Sequence, residues 1–179
     1  MLTYQDCLGM SPLTREEIAA IARHEHVPEI IALELGGILC ETQEGKRRIQ
    51  RMIAENAEEA CRFGEMDAAT RLGLLLHHFI ETHIGERDPC GPDRAATDPG
   101  LREHLESHLI PMLQHFGIEY LSAQAAFGPE MRVAQACCTA CPHNQCCHRY
   151  LSTGADSPAT FCPNAPLFNA LAQKLQRAT

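Results

Sequence analysis

Six of the chain's ten cysteines fall between positions 137 and 162 of its 179 residues, and nothing else in the sequence restricts the fold as strongly. A thiol is a small, readily buried side chain, but packing gives no reason to crowd six of them into one segment. Disulfides or a metal centre are the two explanations, and the redox state of the compartment separates them. The N-terminus, Met1-Leu2-Thr3-Tyr4-Gln5-Asp6-Cys7, has neither the basic patch nor the apolar run of a secretory signal. The most apolar stretches, 30–39 and 72–80, are short and interrupted by Glu34 or by His77 and His78, so no membrane span is expected. A cytoplasmic location follows as the expectation, and there thiolate–metal bonds are favoured over structural disulfides.

The spacing narrows the choice. Cys138, Cys141 and Cys147 form C-x2-C-x5-C, and Cys162 follows after fourteen further residues. Four thiolates can enclose one centre: the short pair turns toward it, Cys147 folds back over it, and Cys162 closes it from the next element. Pro142 and Pro163 each follow a cysteine directly, and proline's fixed φ and missing amide hydrogen restrain such turns. A Cys-Pro pair also ends the ligand run of bacterial ferredoxins, whereas structural zinc more often uses two short-spaced pairs and this chain has one. The expected ligands are therefore Cys138, Cys141, Cys147 and Cys162, holding an iron–sulfur cluster of the 4Fe–4S type, with zinc as the alternative.

Cys137 and Cys146 adjoin preferred ligands and permit another register; otherwise they are spare thiols. His143 and His148 lie in the same loop, and either can replace a thiolate in mixed ligation. A metal-free dithiol switch at Cys138-Thr139-Ala140-Cys141 is the rival. It is weaker, because residues 134–138 read as a helix whose C-terminus disfavours a thiolate at Cys138.

The C-x2-C-x5-C spacing resembles the last three ligands of the cluster loop in endonuclease III-type glycosylases. The preceding C-x6-C ligand, the helix-hairpin-helix sequence and a basic surface are missing here, so DNA repair is not implied. Over about residues 134–175 the chain is similar to an uncharacterised cysteine-rich domain of proteobacteria, through C-x2-C-x5-C, the pair Tyr150-Leu151 and the run Phe161-Cys162-Pro163-Asn164-Ala165. That resemblance implies the same ligand set and a bacterial setting, and implies no reaction.

Elsewhere the pattern is helical, and an all-α fold is expected. Thr14-Arg15-Glu16-Glu17 is a capping box that opens a helix running to about His26. Pro28 suits the first turn of a second, 28–40, with Ile31, Leu35, Ile38 and Leu39 on one side. A third, about 44–63, sets Ile49, Met52, Ile53, Ala57, Ala60 and Cys61 on one stripe and stops at Gly64. The fourth, capped by Asp67, carries Leu72, Leu75, Leu76, Phe79 and His83 to Gly85. Residues 1–84 thus read as a bundle-like domain of four helices, and 85–100, rich in Gly, Pro and Asp, as a linker. In 101–179 a helix capped by Asp98-Pro99 carries Leu101, Leu105, Leu109, Met112, Leu113 and Phe116, with Pro111 kinking or breaking it before Gly117. Shorter helices at about 119–127 and 129–137 precede the cysteines, and Leu167, Phe168, Leu171 and Leu175 mark a last one.

Net charge is −8, with −7 in residues 1–90 (9 basic, 16 acidic) and −1 in 91–179 (6 basic, 7 acidic). Neither half offers nucleic acid a basic field. Lys46, Arg47, Arg48 and Arg51 are flanked by Glu44, Glu55, Glu58 and Glu59, which predicts ordinary surface pairs. The group His24, Glu25, His26 and Glu29 with His77, His78, Glu81 and His83 contains no Glu-x-x-His, the repeated element of carboxylate di-iron bundles. His83 is expected to be a satisfied core histidine and the others to lie on solvated faces. No phosphate loop, nucleophile elbow or catalytic triad spacing is present, so the expected role is non-catalytic. The expected protein is an electron carrier or a sensor of oxygen or iron working with a protein partner such as a redox enzyme. The alternatives are a zinc-stabilised adaptor, the dithiol switch and, after them, an enzyme that uses the cluster.

Overall fold

The computed structural model describes residues 3–85, 99–155 and 157–178, and among them every regular element is helical. In chain order these are α1 (Tyr4–Met10), α2 (Arg15–Glu25), α3 (Glu29–Cys40), α4 (Gln43–Arg62), α5 (Met66–Phe79), α6 (Pro99–His104), α7 (Ile110–His115), α8 (Tyr120–Ala126), α9 (Gly128–Thr139), α10 (Asn144–Thr153) and α11 (Ala165–Ala178). A π-helical turn, Ile80–Ile84, extends α5, and another, Leu105–Leu109, joins α6 to α7. The expected linker lies outside the described residues from 86 to 98, and with it Asp98 and Cys90.

Local chemistry explains the boundaries. At the start of α2 the Glu17 amide donates to the Thr14 hydroxyl at 3.3 Å and the Thr14 amide to the Glu17 carboxylate at 2.7 Å, the reciprocal capping box. Thr3 and Asp6 make a second such box for α1, a helix the sequence reading passed over. Gly64 and Gly117 take φ values of 77° and 71° at the ends of α4 and α7, where only a residue without Cβ turns left-handed at no cost. Asp67 does not cap α5; Glu65 holds the cap position without a side-chain hydrogen bond.

Two interiors result. The first is built on α4, whose expected stripe from Ile49 to Cys61 is buried throughout, and it gathers Ile18 and Ile21 of α2 with Leu76 and Phe79 of α5. It also takes Val133 and Cys137 from α9, which lies against both α4 and α5. The second gathers Leu105, Leu109, Met112, Leu113, Phe127, Met131, Leu167, Phe168 and Leu171. Each fully buried side chain of this size contributes roughly 1.5–3 kcal/mol.

One stripe is turned from its expected side. On α3 the buried residues are Ala32, Leu33 and Gly36, while Ile31 and Ile38 are exposed. This helix is apolar nearly all round, so periodicity cannot choose its face. The choice is steric: a Cβ at Gly36 would meet Leu13 Cδ1 at 2.5 Å, so α3 turns its glycine to α2 and the preceding loop.

Candidate metal centre

Four neighbouring places along the chain bring the cysteines together. Cys138 sits in the last turn of α9, Cys141 in the exposed connection to α10, Cys147 in α10, and Cys162 in the turn before α11. Short-range bonds hold these turns: the Cys141 amide donates to the Cys138 carbonyl at 3.2 Å and the Cys162 amide to the Pro158 carbonyl at 2.8 Å. Cys138, Cys141, Cys147 and Cys162 line one cavity of about 20 Å³, with His108, Leu109, Met112, Asn144, Phe161 and Phe168 among its other walls. That volume is room for about one water molecule.

The run 161–165 divides the labour of placing Cys162. The Asn164 side chain donates to the Ala134 carbonyl of α9 at 2.9 Å, and the Pro163 carbonyl accepts from the Thr70 hydroxyl of α5 at 2.8 Å. Phe161 lies against Tyr150, whose hydroxyl bonds the His115 ring. The turn is therefore tied to three neighbouring elements before any ligand is considered.

Electrostatics at the cavity favour neutral thiols in the absence of a cation. Burial, then the charges of neighbouring cysteines, pushes Cys138 far above the ordinary thiol value. Burial followed by Cys141 and Cys146 raises Cys147 to about 11. Burial, opposed in part by the Asn164 and Ala165 amides, raises Cys162 to about 11. Cys141 is also raised by burial, while the His143 amide, 3.4 Å from its sulfur, favours the thiolate. A set of thiols whose anions repel one another is the chemistry that a bound cationic centre relieves.

By donor type the residues fit a thiolate-ligated group. Among the described residues, however, no group of three or more His, Cys, Asp or Glu side chains forms a ready-made site for a metal ion. The four thiols border a common space without closing on a point inside it.

The neighbouring candidates have other settings. Cys137 is no spare thiol: it forms a disulfide with Cys61, joining α9 to α4, with both residues fully buried. The pairing joins residues 76 apart in sequence, which the local spacing of the cysteine segment does not reveal. Cys7, Cys40 and Cys146 are free thiols. Neither His143 nor His148 lines the cavity, although His143 lines a wider cleft on the other side of Cys162. His108 does line it, and sequence spacing could not have placed it there because it lies thirty residues from the nearest of these cysteines. Burial and the nearby His104 and His148 push its pKa down.

The bundle histidines split. His83, as expected of a core histidine, stacks on Phe79 and stands 3.5 Å from Glu17. His77 departs from the expected solvated face; it is 15% exposed and 3.1 Å from Glu130, which is fully buried on α9. His24 pairs with Glu55 at 2.8 Å, and Arg48 and Arg51 pair with Glu25 and Glu44, as surface residues do. No helix among the described residues is long and apolar enough to cross a membrane.

Compared with protein-family models, curated proteins and solved structures, the chain has no significant match.

Proposed function

We propose that this chain is a non-catalytic iron–sulfur protein, its cluster of the 4Fe–4S type held by Cys138, Cys141, Cys147 and Cys162, acting as an electron carrier or as a sensor of oxygen or iron. The observation that carries this reading is the convergence of four thiols from separate elements on one cavity, each with its proton held by burial. The sequence favours a cluster over zinc, because only one short-spaced pair is present and Cys141 and Cys162 are each followed by proline. A cluster also needs more room than one water, so loading would move the connection 141–144 outward.

When bound, such a cluster supplies one-electron chemistry. The chain's own residues would do the rest. Leu109, Met112, Phe161 and Phe168 exclude water from one side, and the amides of His143, Asn164 and Ala165 stabilise thiolate charge on the other. On this reading α2–α5, within residues 1–84, form a four-helix, bundle-like domain that offers a surface to a protein partner in a bacterial cytoplasm. The resemblance of residues 134–175 to a proteobacterial domain supports the setting.

Purification without oxygen, followed by assay of iron, acid-labile sulfide and zinc, tests the proposal. Iron and sulfide in near-equal amounts are expected. Stoichiometric zinc with no sulfide would replace the reading with the zinc-stabilised adaptor, and absence of any metal after reconstitution would sink both.

A further inference from the structure

The cavity carries a fifth donor of metal-binding type. α6, the π-helical turn Leu105–Leu109 and α7 follow one another without a break, and His108 of that turn stands on the cavity wall beside the four thiols. Such turns inside helices recur at functional sites. His104, stacked on His108 with ring centroids 4.6 Å apart, donates its Nε2–H to the Cys138 carbonyl at 3.0 Å, so the histidine pair is fixed to the last turn of α9.

The hydrogen bonds around Ser107 assign the His108 tautomer. The Ser107 hydroxyl has one hydrogen and gives it to the Glu103 carbonyl at 2.8 Å. Toward His108 Nδ1, 2.7 Å away, it can only accept. With that hydrogen on Glu103, Nδ1 carries the ring proton and Nε2 keeps its lone pair, the tautomer in which histidine binds metals.

Cys141 is the thiol most able to leave. Cys138 and Cys147 are held in helices and Cys162 in a turn anchored by Asn164, whereas Cys141 precedes the exposed residues 142–145. We propose, on the basis of the iron–sulfur reading above, that His108 Nε2 is a fifth donor to the centre and takes the coordination position of Cys141 when that thiolate is released. Such an exchange frees one thiol to meet a partner or an oxidant while the metal stays.

The test uses the full chain, reconstituted anaerobically with iron and sulfide, in four forms: unchanged, His108→Ala, Cys141→Ser and the double variant. Iron content is measured, and nitrogen hyperfine coupling is sought in the electron paramagnetic resonance of the reduced protein. The unchanged chain should load without nitrogen coupling, and His108→Ala, lacking the fifth donor, should lose iron to a chelator faster than the unchanged chain. Cys141→Ser should keep most of its iron and gain a nitrogen coupling that changes on ¹⁵N-histidine labelling, and the double variant should lose the iron. Loss of iron from Cys141→Ser alone, or retention without nitrogen coupling, overturns the exchange while leaving the cluster reading intact. Failure of the unchanged chain to load iron overturns the cluster reading and the exchange with it.

Discussion

Around α4 the interior closes carbon on carbon. Ile18, Ile21, Ile49, Ile53, Leu76 and Phe79 are shut from solvent; Asn56 donates to the Ala20 carbonyl at 2.8 Å, and Glu17 completes its capping box with one carboxylate oxygen while the other, 3.5 Å from His83, has no hydrogen-bond partner. In the C-terminal half the apolar layer of Leu109, Met112 and Phe168 ends at a cavity walled by four thiols that hold their protons against neutral pH. The first region needs nothing added. The second sets aside a volume and a donor set that hydrocarbon packing does not use.

Removing donors should separate the regions most sharply. Cys138→Ser, Cys147→Ser or Cys162→Ser, made singly, should abolish metal loading, read as iron per chain, while the circular dichroism of the α2–α5 helices persists. Cys7→Ser and Cys40→Ser should load normally. If Cys146→Ser lost the metal and Cys147→Ser kept it, the register of the site would shift by one residue.

A smaller effect is expected where the regions are joined. The Cys61–Cys137 bond closes a sequence separation of 76 residues, and cross-links over loops of that length contribute roughly 4 kcal/mol through the unfolded chain. Cys61→Ala should lower stability to denaturant by about that amount. Thiol alkylation of the unfolded, unreduced wild-type chain that labels both cysteines would show that the bond does not form and would leave the two regions joined by packing alone.

The smallest effect is a pH dependence centred on the thiols of the second region. Folding raises Cys147 and Cys162 from about 9 to about 11, so the folded chain holds these protons more tightly than the unfolded one. Stability of the metal-free protein is then undiminished below about pH 9 and falls as pH rises toward 11. The Cys147→Ala/Cys162→Ala double variant should flatten that slope. An unchanged slope would place the alkaline loss elsewhere.

Much of the fold was legible because its signals are local. The Thr14 box, the α4 stripe, the glycines at 64 and 117 and the apolar spacing of α11 depend on residues three or four apart, and each stands where the pattern put it. α10 was missed because its cysteines were read for ligand spacing, although the segment has the one-sided polarity of a helix. The four thiols were singled out by spacing, and they line one cavity. His108 was invisible, as was the pairing of Cys61 with Cys137, because both relations join residues far apart in the chain and are created only when α9 lies across α4 and beside the Leu105–Leu109 turn.

The amino-acid sequence by itself determined a helical chain with a crowded set of thiols at C-x2-C-x5-C and beyond, since helix periodicity, caps and turn residues act over a few positions. Tertiary structure alone decided which face of α3 is covered, which histidine stands at the thiols, and which cysteine leaves the set to bind Cys61. Those outcomes turn on steric fit between elements distant in the chain, such as the close approach of Gly36 to Leu13, and no local pattern encodes a distance between helices.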